Sequence, residues 1–262
     1  MNNPFEPYGM EYFSPSSINK FRRDPAKWLV NIAGYKDAAY SPAMSFGTCV
    51  EKGITVGCMT SAPLSVCVDA ANKEYERIHE NINNADLATP YDFAKCKEKQ
   101  NQLERVLEAI IPLYQKFGKP VAEQQRVEVD VGLPIPIIGY IDMLYDDTVR
   151  DIKTTGVQPK VRNDYERQLA LYATATDLPP YIDSIYVTKY KVEMHTFKVQ
   201  NVEKHFNDLV RIANKMMNLI SKSHDIKEVC QLSCLEPDLS NEDFMKQWGV
   251  NEIAGAIELF EL

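Results

Sequence analysis

The chain of 262 residues lacks any apolar run long enough to cross a membrane, which excludes a helical membrane protein. Its start, MNNPFEPYGMEYF, has neither a basic opening nor an apolar core, so no signal peptide is expected. The six cysteines (49, 58, 67, 96, 230 and 234) form no CxxC pair and no secreted framework, and free thiols in a reducing cytoplasm are the simpler reading. A positive balance is missing too: 29 Lys and Arg against 37 Asp and Glu leave a net charge of -8. That argues against a generally basic nucleic-acid coat protein. It leaves room for an enzyme with a local basic groove, because a metal site concentrates acids and the cation offsets them. There is no GxxxxGK[ST] stretch, so ATP is not expected, and there is no internal repeat or low-complexity tract. What remains is 45% hydrophobic and 25% charged, ordinary for a soluble globule with a sizeable core.

The informative stretch is GYIDMLYDDTVRDIKTT, Gly139 to Thr155. β-Branched, aromatic and apolar residues flank Asp146-Asp147, a hairpin pattern, although the joint is not the favoured Asn-Gly or Asp-Gly. With the turn centred between 146 and 147, residues whose numbers sum to 293 face each other, among them Asp142 and Asp151. Their Cβ atoms are expected roughly 5 Å apart on one face. Lys153, two residues beyond Asp151, shares that face. Two carboxylates at that spacing repel by about 3 kcal/mol at an effective dielectric of about 20. Either these are surface acids on an exposed hairpin, or they hold a divalent cation. Oxygen-only ligands suit Mg²⁺ or Mn²⁺ rather than zinc, and a lysine beside them is equipped to orient a water or steady negative charge.

Before the hairpin the pattern is helical. In SPSSINKFRRDPAKW, Ser14 or Ser16 caps a first helix and Asp24-Pro25 opens a second. Lys20, Arg22, Arg23 and Lys27 form a basic cluster, either a solvated face or a phosphate clamp. A helix is expected from about Ser45 to Ile54, with Glu51 either at its rim or buried against a cation. Residues 66–86 and 92–117 read as amphipathic helices around a loop from Asn81 to Pro90. From Gln125 the period becomes two: RVEVDVG is a strand and the hairpin follows. A helix is expected over Asn163–Thr176, capped by Asn163 or Asp164, then strands at Ile185–Lys191 and His195–Val199 and a long helix over Val202–Lys222. This order gives a mixed α/β fold with a central mixed sheet flanked by helices.

Four motifs in this order resemble those of the PD-(D/E)XK nuclease superfamily, in its RecB-like and phage lambda exonuclease-like branch. Gly47-Thr48-Cys49-Val50-Glu51 is similar to GxxxE, Gly139-Tyr140-Ile141-Asp142 to GxxD, Asp151-Ile152-Lys153 to (D/E)xK and Gln168-Leu169-Ala170-Leu171-Tyr172 to QxxxY. The opening SPSSINKFRRDPAKW resembles that of the same nucleases. The resemblance implies a restriction-endonuclease-like core in a single domain over 1–262, with 60–120 a helical insertion and 225–262 a helical tail. It implies Mg²⁺, for which Mn²⁺ can substitute, on Glu51, Asp142, Asp151 and the Ile152 carbonyl, with Lys153 positioning the attacking water. Gln168 and Tyr172, one helical turn apart, would touch DNA or support these groups. Ser16, Arg22, Arg23, Lys160, Arg162 and Arg167 are the DNA-backbone or 5′-phosphate candidates.

Asp24-Pro25 stands where iron–sulfur relatives have Cys-Pro, and Cys230 and Cys234 are spaced CxxxC, so no iron–sulfur cluster is expected. The implied activity is DNA phosphodiester hydrolysis, by an exonuclease of phage or recombination type. The location would be cytoplasmic (host cytoplasm if viral), with no membrane partner. A homo-oligomer and a single-strand annealing partner follow from the resemblance alone. Three alternatives stay open: an endonuclease, including flap or junction enzymes, of the same fold; an inactive DNA-binding protein; and a chance match in another α/β enzyme.

Overall fold

The computed structural model of the chain describes residues 3–38, 40–83, 91–241 and 245–262. A short 3-10 turn (Glu6–Tyr8) and six α-helices come first: α1 (Pro15–Arg23), α2 (Pro25–Ile32), α3 (Pro42–Thr60), α4 (Leu64–Asn83), α5 (Phe93–Gln100) and α6 (Leu103–Gln115). Strands β1 (Ala122–Val129), β2 (Ile137–Leu144) and β3 (Val149–Thr155) follow, then α7 (Asn163–Thr176), β4 (Pro180–Val187) and β5 (Val192–Lys198). Helices α8 (Val202–Ile220), α9 (Ile226–Ser233) and α10 (Val250–Phe260) complete the described elements. The sheet order is β1-β2-β3-β4-β5, antiparallel except for the parallel β3–β4 pair. That pair needs a crossover, which α7 supplies. The mixed α/β fold expected from the sequence is the fold observed.

Short polar residues cap the first three helices, each just before a proline. The Ser14 hydroxyl accepts from Ser17 N–H at 3.1 Å, the Asp24 carboxylate from Lys27 N–H at 2.9 Å and the Ser41 hydroxyl from Met44 N–H at 3.2 Å. Each satisfies an N–H that the first turn leaves unpaired. The other oxygen of Asp24 accepts from the Trp248 indole at 3.1 Å. A carboxylate therefore ties the α1–α2 junction to the segment before the last helix.

The sheet separates two cores. Ile137, Ile141, Val149 and Ile182 pack with α1, α2, α7 and α8, around Phe13, Trp28, Leu171 and Leu209. Met143, Tyr145, Ile152 and Ile185 pack with α3, α4 and α6, around Val50, Ile54, Leu107 and Ile110. Strand β2 contributes to both cores with residues of the same parity. Its facing therefore changes between Ile141 and Met143, at Asp142, which a strand of strict period two does not do. Opposite that point on β1, Gln124 has φ of 44°.

Several elements differ from expectation. Helix α3 continues to Thr60 through Gly53 and Gly57, because packing outweighs glycine's low helix propensity. A Cβ on Gly53 would lie 2.6 Å from Leu107, and one on Gly57 3.1 Å from Ile111, so the missing side chains allow α6 to approach. The helix expected over 92–117 is broken at Asn101-Gln102 into α5 and α6. Strand β4 begins at Pro180, where parallel pairing with Val149 begins. It ends at Val187, where the Thr188 hydroxyl accepts from Tyr190 and Lys191 N–H to make a turn. The residue at the start of α7 is Arg162 rather than Asn163 or Asp164, and no side chain caps it. Of the loop expected from Asn81, the first three residues finish α4 and 84–90 lie outside the described residues.

Candidate active site

The hairpin has the expected register. Met143 pairs with Arg150 and Leu144 with Val149, and Tyr145 N–H donates to Thr148 O at 2.9 Å across Asp146-Asp147. The ladder stops one step short of Asp142 and Asp151. There the Ile152 N–H donates to the Asp142 side chain, at Oδ2 2.9 Å away, where no β2 backbone pairing continues. The acids thus do not sit as a flat cross-strand pair. Asp142, at the point where β2 changes facing, reaches across to the backbone of β3. Asp151 is fully buried. Its Oδ1 has no hydrogen-bond partner among the described residues, and its Oδ2 meets the Lys153 ammonium at 2.7 Å in an ion pair that lacks hydrogen-bond alignment.

Helix α3 brings Glu51 to the same place. Its first motif residue, Gly47, lies against β3: a Cβ there would be 3.0 Å from Thr154 Oγ1. Glu51 Oε1 accepts from the Gln124 amide at 2.6 Å, and the same amide nitrogen lies 3.3 Å from Asp142 Oδ1. Glu51 is therefore turned toward the sheet acids rather than away from them. Burial, reinforced by the charges of Asp151 and Glu51, raises the Asp142 carboxyl well above the usual carboxylate range. Glu51 is raised as well, by burial and by Asp151, against the lowering effect of Lys153 and Gln124. Burial alone would lower the Lys153 ammonium; Asp151 and Asp142 reverse this and hold it above its ordinary value, charged.

From α7, Gln168 Nε2 donates to the Tyr172 hydroxyl at 2.7 Å. Tyr172 is buried, and burial with Asp151 and Asp142 nearby raises its phenol. Its ring lies on Gly139, where a Cβ would be 2.6 Å away. The two motif glycines therefore serve the motifs next to them, Gly47 that of Lys153 and Gly139 that of Tyr172.

Beyond Lys153 a cleft of about 770 Å³ opens between α1 and the start of α7. Ser16, Arg22, Arg23, Lys160, Arg162 and Arg167 all line it, with Lys153 and Gln168. The basic residues and Ser16 lie up to 151 positions apart in sequence. They are not equally free: Arg167 is buried, bonded to Asn19 at 2.7 Å and to Asp208 at 3.1 Å, and Arg22 also reaches Asp208, at 2.8 Å. Lys27, grouped with these cations in the sequence, turns elsewhere and pairs with Glu252 at 2.7 Å. It lines a larger cleft of about 950 Å³ whose acids Asp24, Asp37 and Glu252 are occupied by caps and ion pairs. Size alone would point there; the buried carboxylate oxygen without a hydrogen-bond partner is at Asp151.

The model of the PD-(D/E)XK nuclease superfamily matches residues 12–235. The chain belongs to that superfamily. No curated protein matches it. Among solved structures, it is similar to a Eubacterium rectale protein described as a "Putative exonuclease", at 14% identity and a TM-score of 0.54, over 78% of this chain and 82% of that one. At that identity the likeness is one of fold. The structure of SSO0001 matches over 42% of this chain and 54% of its own, at 16% identity and a TM-score of 0.27.

Nucleases of this superfamily usually use divalent metals, and the residues present fit one. Glu51, Asp142 and Asp151 offer only oxygen, the donor set of Mg²⁺ or Mn²⁺. Asp151 keeps a buried oxygen without a hydrogen-bond partner, and burial, with the charges of Asp151 and Glu51, makes Asp142 reluctant to ionise unless positive charge arrives. As placed, no three His, Cys, Asp or Glu side chains among the described residues are grouped so that they could hold a metal ion, so Glu51, Asp142 and Asp151 would have to draw together around a cation. The Gln124 amide and the Lys153 ammonium stand among the acids instead. Gln124 was not visible from sequence, where it is one of two glutamines opening an exposed strand. Only the pairing with β2 puts it opposite Asp142.

Proposed function

We propose that the chain is a Mg²⁺-dependent deoxyribonuclease of the RecB-like and lambda exonuclease-like branch, an exonuclease of phage or recombination type. The observation that carries this reading is the position of Lys153. Its ammonium is bound to buried Asp151 at 2.7 Å on one side and lines the basic cleft on the other. A phosphodiester laid in that cleft has its charge met by Arg23, Lys160 and Arg162, and its scissile phosphorus brought to the acids. Glu51, Asp142, Asp151 and the Ile152 carbonyl would hold the cation. When bound, it neutralises charge on the phosphate and favours ionisation of a water. Lys153, kept charged by its acids, orients that water and steadies the developing negative charge. Gln168, tied to Tyr172, borders the same cleft and steers the strand past Lys153.

A homo-oligomer and a single-strand annealing partner belong to the same proposal and rest on the branch resemblance. The test is digestion of end-labelled linear duplex, with and without Mg²⁺, beside covalently closed circles. Loss of label from linear DNA, with circles spared, is the expected result. Cutting of closed circles would make it an endonuclease, and DNA retained but uncut at any divalent cation would make it a binding protein.

A further inference from the structure

Strand β1 brings to the acids one side chain that neither the motifs nor the superfamily match assigns. Gln124 lies inside a strand yet has φ of 44°, in the left-handed region that glycine enters freely and other residues disfavour. Ladder pairs flank it, Glu123 with Met143 and Gln125 with Ile141, so it lies opposite Asp142, where β2 changes facing. A side chain kept at such a backbone has a use that glycine could not supply. The amide nitrogen is within 2.6 Å of Glu51 Oε1 on α3 and 3.3 Å of Asp142 Oδ1 on β2. Asp142 Oδ2 is fixed separately by the Ile152 N–H at 2.9 Å.

We infer that Gln124 is a positioning residue that sets the spacing of Glu51 and Asp142 for a divalent cation; this rests on the metal-dependent reading above. Glu51 rides on a helix and Asp142 on the sheet, and the amide ties one to the other across that boundary. A neutral donor suits the task. A lysine there would supply the positive charge itself and compete with the cation, and a glutamate would add a further repulsive carboxylate. The bent backbone aims the side chain between the two acids, and the hydrogen bonds offset its strain. Partners that orient ligating carboxylates act on metal affinity by this route.

The experiment is calorimetric Mn²⁺ titration of metal-free protein for wild type, Gln124→Gly, Gln124→Leu, Glu51→Gln and the Glu51→Gln/Gln124→Gly double variant, with a thermal melt of each. Gln124→Gly keeps the backbone conformation without strain, and Gln124→Leu keeps the bulk without donors. Both are expected to melt cooperatively and to bind Mn²⁺ about ten- to a hundredfold more weakly. In the Glu51→Gln background the additional loss from Gln124→Gly should shrink below about threefold, because the pair acts as a unit. Unchanged Mn²⁺ affinity in the single variants would overturn the assignment and leave the metal reading standing. So would fully additive losses in the double variant, or loss of cooperative melting in both single variants, which would mark a role in folding alone. A wild type that binds neither Mn²⁺ nor Mg²⁺ overturns both.

Discussion

Gly139 on β2 lies directly beneath the ring of Tyr172 on α7, so close that a Cβ would come within 2.6 Å of Cε1 and 3.1 Å of Leu171 Cδ2. The ring is buried and cannot swing into solvent, so the GxxD glycine is needed by a tyrosine 33 residues away. Gly139→Ala should destabilise the fold by about 1–3 kcal/mol, the usual cost of overpacking a filled core. In a Tyr172→Ala background the same change should cost clearly less, because the clashing ring is gone. Urea denaturation of the four proteins in this cycle measures the coupling, and additive losses would sink the explanation.

The hairpin was legible because its chemistry is local. A two-residue joint fixes the register, and Asp151 and Lys153 share a face by strand periodicity alone. The span of α7 was legible, although no side chain caps it, and the helix carrying Glu51 was placed but ended too early, at Ile54 rather than Thr60. The change of facing at Asp142 was not legible, since it depends on Gln124 in the neighbouring strand and on an Ile152 N–H that donates to the Asp142 side chain. Nor was the division of the basic residues. Lys27 and Arg23 are four apart on the chain, yet an acid at position 252 draws one of them away. Pairings of this kind are set by tertiary contacts, which no window of sequence contains.

The raised carboxyl of Asp142 fixes the sign of a pH effect. Its folded-state pKa lies above the unfolded value of about 4, so between the two the folded chain holds more protons than the unfolded one. The corresponding stability is complete below the unfolded pKa and is lost as pH rises through the folded one. Asparagine mimics the protonated acid and still accepts from Ile152. In chelator, Asp142→Asn should therefore melt close to wild type near pH 4 and progressively above it toward pH 8. Excess Mn²⁺ should reverse the order at pH 8, because only wild type gains a ligand that binds the folded state. Parallel melting curves across that interval would contradict the assignment.

Lys153 can be separated from the acids it touches. Lys153→Met preserves much of the stem and removes the charge, so Mn²⁺ binding should persist or tighten while turnover falls by about a hundredfold or more. Asp151→Asn should lose cation binding and cleavage together. A Lys153→Met enzyme with wild-type turnover at saturating DNA would remove the lysine from the mechanism.

Next to the site, Arg150 and Asp183 form a buried ion pair at 2.8 Å across β3 and β4, and the Thr196 hydroxyl donates to the same carboxylate at 2.6 Å. The guanidinium also lies 3.6 Å over the Phe117 ring. Removing one partner leaves the other buried and uncompensated. Asp183→Ala should therefore cost about 3–5 kcal/mol, read as a lower urea midpoint. Replacing both partners by apolar residues should cost less than Asp183→Ala alone, and an equal or greater loss would show that the pair is itself strongly stabilising.

The basic cleft makes a prediction in which two cations of one wall behave differently. Lys160 is exposed and Arg167 is buried between Asn19 and Asp208, although both line the same space. An exposed lysine that meets a phosphate contributes through counterion release, so Lys160→Ala should weaken binding to any DNA sequence. It should also lower the slope of log affinity against log salt by about one unit, with no change in melting temperature. Arg167 already spends its donors on Asn19 and Asp208, and Asp208 also holds Arg22 and Arg211. Its removal should lower the melting temperature and weaken DNA binding only by releasing Arg22 and α8 from their places. Salt titrations of a short fluorescent duplex in Ca²⁺, beside a melt of each variant, distinguish the two. If Arg167→Ala lowered the salt slope by a full unit at an unchanged melting temperature, the buried arginine would be a direct phosphate contact, and the cleft would have to open on binding DNA to expose it.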